Sequence, residues 1–305
     1  MDAELTVATP RPMTFRETFK AVSALFKMRV VSLLLFASVG GAFLGQKGVP
    51  SLLTLSVLVV TGALAAGGAS AINQYLERDN DPKMRRTKDR PLASGQIAHP
   101  RMILWLAIAM IFIAVFSVLP ANPMMAFYLG LGALIYVGVY TIWLKPRSVV
   151  NIVIGGAAGS CAVMTGGAAV GAASDPAVIA LALLVFLWTP AHFWALAMMY
   201  KDDYAAADVP MLPVYATAGN TAWWIFVHTA SAAIAALALA ASPVLGWVYL
   251  IPTAVMTAVF VIGSVRLIQT PDRVSAIRLF VTSNIFLALI LVAVILAAVW
   301  RQIAS

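Results

Sequence analysis

Nine stretches of about 20 mostly apolar residues run through this chain, near 28–46, 51–76, 101–119, 124–143, 149–171, 177–199, 222–241, 247–267 and 277–300. Each is long enough for one helical crossing of a bilayer. Backbone polar groups inside lipid must be satisfied within the segment, so these stretches predict helices. With 62% hydrophobic and 10% charged residues, against roughly 25% charged in soluble domains, the chain has no room for a separate soluble domain. The expected fold class is all-α: a polytopic membrane bundle of nine transmembrane helices. The expected layout is a leader over 1–27, one transmembrane domain over 28–300 and a short tail over 301–305.

The positive-inside rule orients such a bundle. Arg11, Arg16, Lys20, Lys27 and Arg29 precede or open the first span, and Arg78, Lys83, Arg85, Arg86, Lys88, Arg90 and Arg101 cluster between the second and third. Lys145, Arg147, Lys201, Arg266, Arg273 and Arg278 fall in connections on the same side, leaving Lys47 and Arg301 opposite. The leader is therefore expected in the cytoplasm and the C-terminus outside. The leader is short and partly acidic, unlike an organellar import segment, which points to a bacterial inner membrane. The net charge of +8 is thus accounted for by topology, and nucleic acid is not an expected partner. A single cysteine, Cys161, excludes an intrachain disulfide, and no C-x-x-C-H haem attachment site is present.

Of the 12 acidic residues, only Asp175 falls on the outer side, and two loops concentrate the rest: Glu77, Asp79, Asp81 and Asp89, then Asp202, Asp203 and Asp208. If helix continues through 73–81, Asn73, Glu77 and Asp81 drift by about 40° per four-residue step while Asp79 lies about 200° from Glu77. Aligned oxygen ligands at a membrane boundary suit Mg²⁺ with a phosphate, since Mg²⁺ takes one or two carboxylates plus substrate oxygens. Lys83, Arg86, Lys88 and Arg90, with Lys145 and Arg147, are candidate phosphate contacts; Lys201 adjoins the second acidic loop. For Arg78, Arg85, Asp89 and Arg101 an ordinary solvated loop role is the better reading. Small residues at 67–69 and at Gly155, Gly156 and Gly159 suggest close helix packing, and segments 67–81 and 194–208 resemble each other as helix-to-acidic-loop units.

The run NQYLERDNDPKMRRTKDRPLASG from Asn73 resembles the signature of the UbiA-type intramembrane prenyltransferases, specifically the haem O synthase group. Glu77 stands where that family usually has Asp. YTIWLKPRSVVNIVIGG at 140–156, WTPAHFW at 188–194 and YKDDYAAADVPMLPV at 200–214 extend the resemblance along most of the chain. Ala191 replaces a common Pro, and the second loop lacks the D-x-x-x-D spacing of many members. The ligand among Asp202, Asp203 and Asp208 therefore stays open, with Asp203 favoured by the family's D-Y pair.

The resemblance implies a central cavity open to the cytoplasm, with Mg²⁺ held by Asn73, Glu77, Asp81, Asp203 and Asp202. Asn73, Glu77, Asp81 and Asp203 would be the catalytic set. Farnesyl diphosphate is the implied donor and a vinyl group of protohaem IX the acceptor, water completing the product. A haem A synthase is the implied downstream partner. Tyr136, Tyr140, Trp143 and Trp194 are candidates for cation stabilisation, though packing or interfacial anchoring suits most of them. His192, an ionisable residue inside a span, is either an axial group for haem iron or a structural histidine bonded to the Phe186 carbonyl that Pro190 frees or to a neighbouring helix. An aromatic quinone precursor as acceptor is the enzymatic alternative. A transporter is disfavoured, because the ionisable residues lie at one face rather than the midplane.

Overall fold

A computed structural model describes residues 14–304, and nine of its helices are long and apolar enough to cross a membrane. Arg11 of the leader lies outside the described residues. From Thr14 the leader is helical: α1 (Phe15–Leu25) begins with a capping box in which Thr14 and Glu17 satisfy each other's backbone N–H groups. A left-handed Lys27 (φ 48°) then turns the chain into α2 (Met28–Gln46).

The spans start where local chemistry says they should. Ser51 caps α3 (Leu52–Glu77) by accepting from the Thr54 N–H, and α4 (Pro100–Val118) opens on a proline. Asn122 caps α5 (Pro123–Leu134), again with proline first. The short α6 (Asn151–Gly155) and α7 (Ala157–Ala169) form one crossing, and Asp175 caps α8 (Pro176–Met199). Two short helices, α9 (Lys201–Ala206) and α10 (Leu212–Tyr215), occupy the next connection. The bundle closes with α11 (Ala218–Leu239), α12 (Gly246–Gln269) and α13 (Arg273–Ala304), so residues 301–304 continue the last helix.

The two largest of four buried apolar clusters hold most of these helices together. One joins α8, α11, α12 and α13 around Tyr249, Phe260 and Phe286. The other joins α2, α3, α4, α5 and α7 through smaller side chains such as Leu58, Ala114 and Ala126. Outside, Trp105, Phe112, Ile113, Phe116, Trp223 and Trp247 are exposed, an apolar surface that water would not tolerate and lipid matches. The protein is a multi-pass membrane protein.

The tightest helix contact falls at positions the sequence reading did not single out. Where α2 crosses α7, a Cβ on Gly166 would overlap the Ser38 carbonyl oxygen, and one on Gly41 would overlap that of Val163. This reciprocal pair lets two backbones touch, as in other small-residue crossings within membranes.

Candidate active site

Past α5 the helix widens: over Ile135–Leu144 the backbone is a π-helix, and the Lys145 N–H donates to the Tyr140 carbonyl five residues back at 2.8 Å. Such segments recur at functional sites because they re-aim side chains. Here Tyr136 stacks on Tyr140 with ring centroids 5.7 Å apart, and Thr141 and Lys145 meet the last turns of α3 at Asn73 and Glu77. Asn73 is the hub. Its amide donates to Glu77 Oε1 at 2.8 Å and to Thr141 Oγ1 at 3.1 Å, and its carbonyl oxygen accepts from the Lys27 ammonium. Lys27 also donates to the Tyr136 hydroxyl at 3.0 Å. Lys145 donates to Glu77 Oε1.

The expected continuous helix through 73–81 does not form. The α-helix ends at Glu77, and Asp81 opens a 3-10 turn, Asp81–Lys83, in which Pro82 lacks the N–H that continued helix would use. The carboxylates converge by another route. Arg90 folds back so that its Nη1 lies 2.9 Å from each Asp81 carboxylate oxygen and 3.3 Å from Glu77 Oε2. Asp81 is 3% exposed, and that burial raises its carboxyl above the ordinary range against the pull of Arg90. Asp79 turns outward onto Arg78 at 3.5 Å with its side chain 82% exposed.

The second acidic loop joins from α9. Buried Asp203 accepts from the Arg86 backbone N–H at 3.4 Å and faces the exposed Arg85 at 4.0 Å. The Arg86 guanidinium lies 5.9 Å from the ring centres of both Tyr200 and Tyr204. Asn73, Glu77, Asp81, Asp203, Arg86, Arg90 and Lys145 therefore gather at one end of the bundle.

Other candidates sit apart. Asp202 and Lys201 are exposed on α9, and Lys83 is exposed and bonded to Asn80 Oδ1 at 3.1 Å. Arg147 caps the π-helix through the Ile142 and Trp143 carbonyls at 2.9 Å. Trp143 faces outward, whereas Trp194 is buried edge-on to His228. Lys27 was missed as a site residue, because a lysine just before a first span reads as topological charge. Burial first, then the Arg90 charge, pushes it down to about 7.

His192 lies at the α8–α13 contact, stacked between Trp188 and Phe280 at 4.4 and 4.6 Å. Its Nδ1 is 2.8 Å from Ser283 Oγ, and that hydroxyl donates to the Phe280 carbonyl at 2.7 Å. With the single Ser283 proton given to the Phe280 carbonyl, a neutral His192 donates from Nδ1 and leaves the Nε2 lone pair free. Sequence reasoning left a neighbouring-helix bond open, and this is that bond.

A multi-span bundle whose buried carboxylates are clamped by Arg and Lys at one end, together with its family match over residues 33–290, makes this an integral-membrane prenyltransferase. The chain belongs to the UbiA prenyltransferase family, whose pattern matches residues 33–290. It is 40% identical over 272 residues to the protoheme IX farnesyltransferase of Metallosphaera sedula, covering 89% of this chain and 94% of that one. Among solved structures it resembles digeranylgeranylglyceryl phosphate synthase, with a TM-score of 0.78 and 17% identity over 93% of this chain and 99% of that one. It also resembles a UbiA homolog from Archaeoglobus fulgidus bound to GPP and Mg²⁺, with a TM-score of 0.62 and 16% identity over 90% and 99%.

Proposed function

We propose that this protein transfers the farnesyl group of farnesyl diphosphate to a vinyl group of protohaem IX, water adding to give haem O and diphosphate. The observation that carries the chemistry is the Arg90 clamp on Asp81 and Glu77, with Lys145 and Asn73 on the same carboxylate. The acceptor rests on the 40% identity to the Metallosphaera sedula enzyme, in an alignment that covers 94% of its length. The reading places the site at the cytoplasmic face of a bacterial inner membrane, at the mouth of a central cavity, with a haem A synthase as downstream partner.

Among the described residues no three acidic, His or Cys side chains form a metal cage. Paired carboxylates beside cationic side chains fit a Mg²⁺ ion that completes its shell with substrate oxygens and water. Glu77 and Asp81, with Asn73, would hold it, and when bound it would supply charge neutralisation on the departing diphosphate. Arg90, Lys145, Lys27 and Arg86 are the donors within reach of phosphate oxygens, Arg by bidentate contact and Lys as point charges. They stabilise negative charge as the allylic C–O bond breaks. The Tyr136 and Tyr140 faces lie beside this cluster and suit the allylic cation. The vinyl group of protohaem attacks that cation. Water then adds to the carbon beside the porphyrin and loses a proton, so atoms and charge balance.

Purified protein given farnesyl diphosphate, Mg²⁺ and protohaem should yield a haem product heavier by one farnesyl group plus one hydroxyl. 4-Hydroxybenzoate should remain unchanged, and prenylated benzoate with no haem product would overturn the acceptor. We assign the His192 Nε2 lone pair to the haem iron. His192→Ala should weaken haem binding about tenfold or more while leaving farnesyl diphosphate binding nearly intact, a loss of second-partner contact in the range of metal-site substitutions. An unchanged haem spectrum and affinity would leave the imidazole only its role of tying α8 to α13.

A further inference from the structure

Between α1 and the start of α2 lies a groove of about 520 Å³ outside the carboxylate cluster. Its walls carry Arg16, Lys20, Lys27 and Arg29 with the apolar Phe19 and Met28, and none of its lining residues is acidic. α1 is amphipathic: Ala21 and Leu25 are buried, whereas Phe15 and Phe19 are 87% and 67% exposed. Such a basic helix with exposed rings lies in the interface plane of a bilayer. Lys27 belongs to both places. It lines the groove, and its ammonium reaches Asn73 and Tyr136 inside the site.

We infer that this groove is a reception site for the prenyl diphosphate, which binds with its head on Arg16, Lys20 and Arg29 before passing to Lys27 and the inner cations. The inference rests on a prenyl diphosphate being the donor substrate. Four cations in a lining with no acidic residue match a diphosphate better than the single charge of most phospholipid heads. Phe19 and Met28 offer the tail an apolar wall continuous with the surrounding lipid. Among the described residues Lys27 at the elbow is the one shared between groove and cluster, so the head moves between them without leaving cationic surroundings.

Arg16→Gln/Lys20→Gln tests this in full-length protein reconstituted into phosphatidylcholine nanodiscs, since both side chains are exposed and neither touches the inner cluster. The KM for farnesyl diphosphate should rise roughly thirtyfold, a scale set by two interfacial charges, while kcat and the KM for protohaem stay unchanged. Arg16→Lys/Lys20→Arg should restore it. An unchanged KM overturns the proposal, as does a fall in kcat alone. A defect seen only when phosphatidylglycerol is added would assign the groove to a lipid headgroup and also overturn it. If the wild type turned over no prenyl diphosphate, the functional reading itself would fail. Equilibrium binding of radiolabelled farnesyl diphosphate to the same two proteins would still decide the groove: equal binding rejects it and weaker binding to the double variant supports it.

Discussion

Asp81→Asn should remove nearly all turnover, by about a hundredfold or more, the scale on which losing one group that compensates transition-state charge is felt. The carboxylate is buried and receives two contacts of 2.9 Å from Arg90, so the change removes both a candidate metal ligand and the partner that aims Arg90. Glu77→Gln should be less severe, because Asn73 and Lys145 can still bond the remaining carbonyl oxygen. Asp79→Asn should behave almost as wild type, given its exposed outward pairing with Arg78. Breaking a buried pair by one partner also costs stability, commonly about 3–5 kcal/mol. Asp81→Asn/Arg90→Gln separates the two effects: it should recover much of the lost thermal stability in detergent and none of the turnover. Near-normal turnover of correctly inserted Asp81→Asn would remove Asp81 from the chemistry.

The second large effect is on assembly. Gly166→Val should cost at least about 3 kcal/mol, the upper range for overpacking, because its Cβ meets the backbone of α2 at Ser38 rather than a side chain that can move aside. The variant should accumulate poorly, and what is purified should unfold well below the wild type. Gly219→Ala is the control, since nothing lies within 4 Å of a Cβ there and helix propensity favours Ala. A Gly166→Val protein with an unaltered unfolding midpoint would mean that α2 and α7 do not approach as closely as the backbone shows.

Much of this architecture is written locally. The spans follow from apolar length. Their starts follow from Ser51, Asn122, Asp175 and Thr217, each of which accepts a backbone N–H of the first turn. The two acidic loops were visible as charge that an apolar chain has little other reason to keep. Asn73 and Glu77 share a face because both remain in regular helix, where four residues bring side chains into line. The same rule misplaced Asp81, because the helix stops at Glu77; the residue reaches the cluster through a turn and the grip of Arg90.

Only the tertiary structure could sort the cations. Lys83, Arg86, Arg90, Lys145, Arg147 and Lys201 are alike as sequence, yet Arg90 and Lys145 bond Glu77 whereas Lys83 and Arg147 satisfy local oxygens. Long flexible side chains reach whichever acceptor the fold brings near, so their partners depend on distant helices rather than on neighbours in sequence. Lys27 makes the point most sharply: its partners are 46 and 109 residues away. What the sequence determined by itself is where the chain crosses lipid and which loops hold charge, because both are set by local composition. Which charges face one another was decided by helix packing and by the π-helical segment at 135–144, beside which Thr141 and Lys145 bond α3 and Tyr136 bonds Lys27.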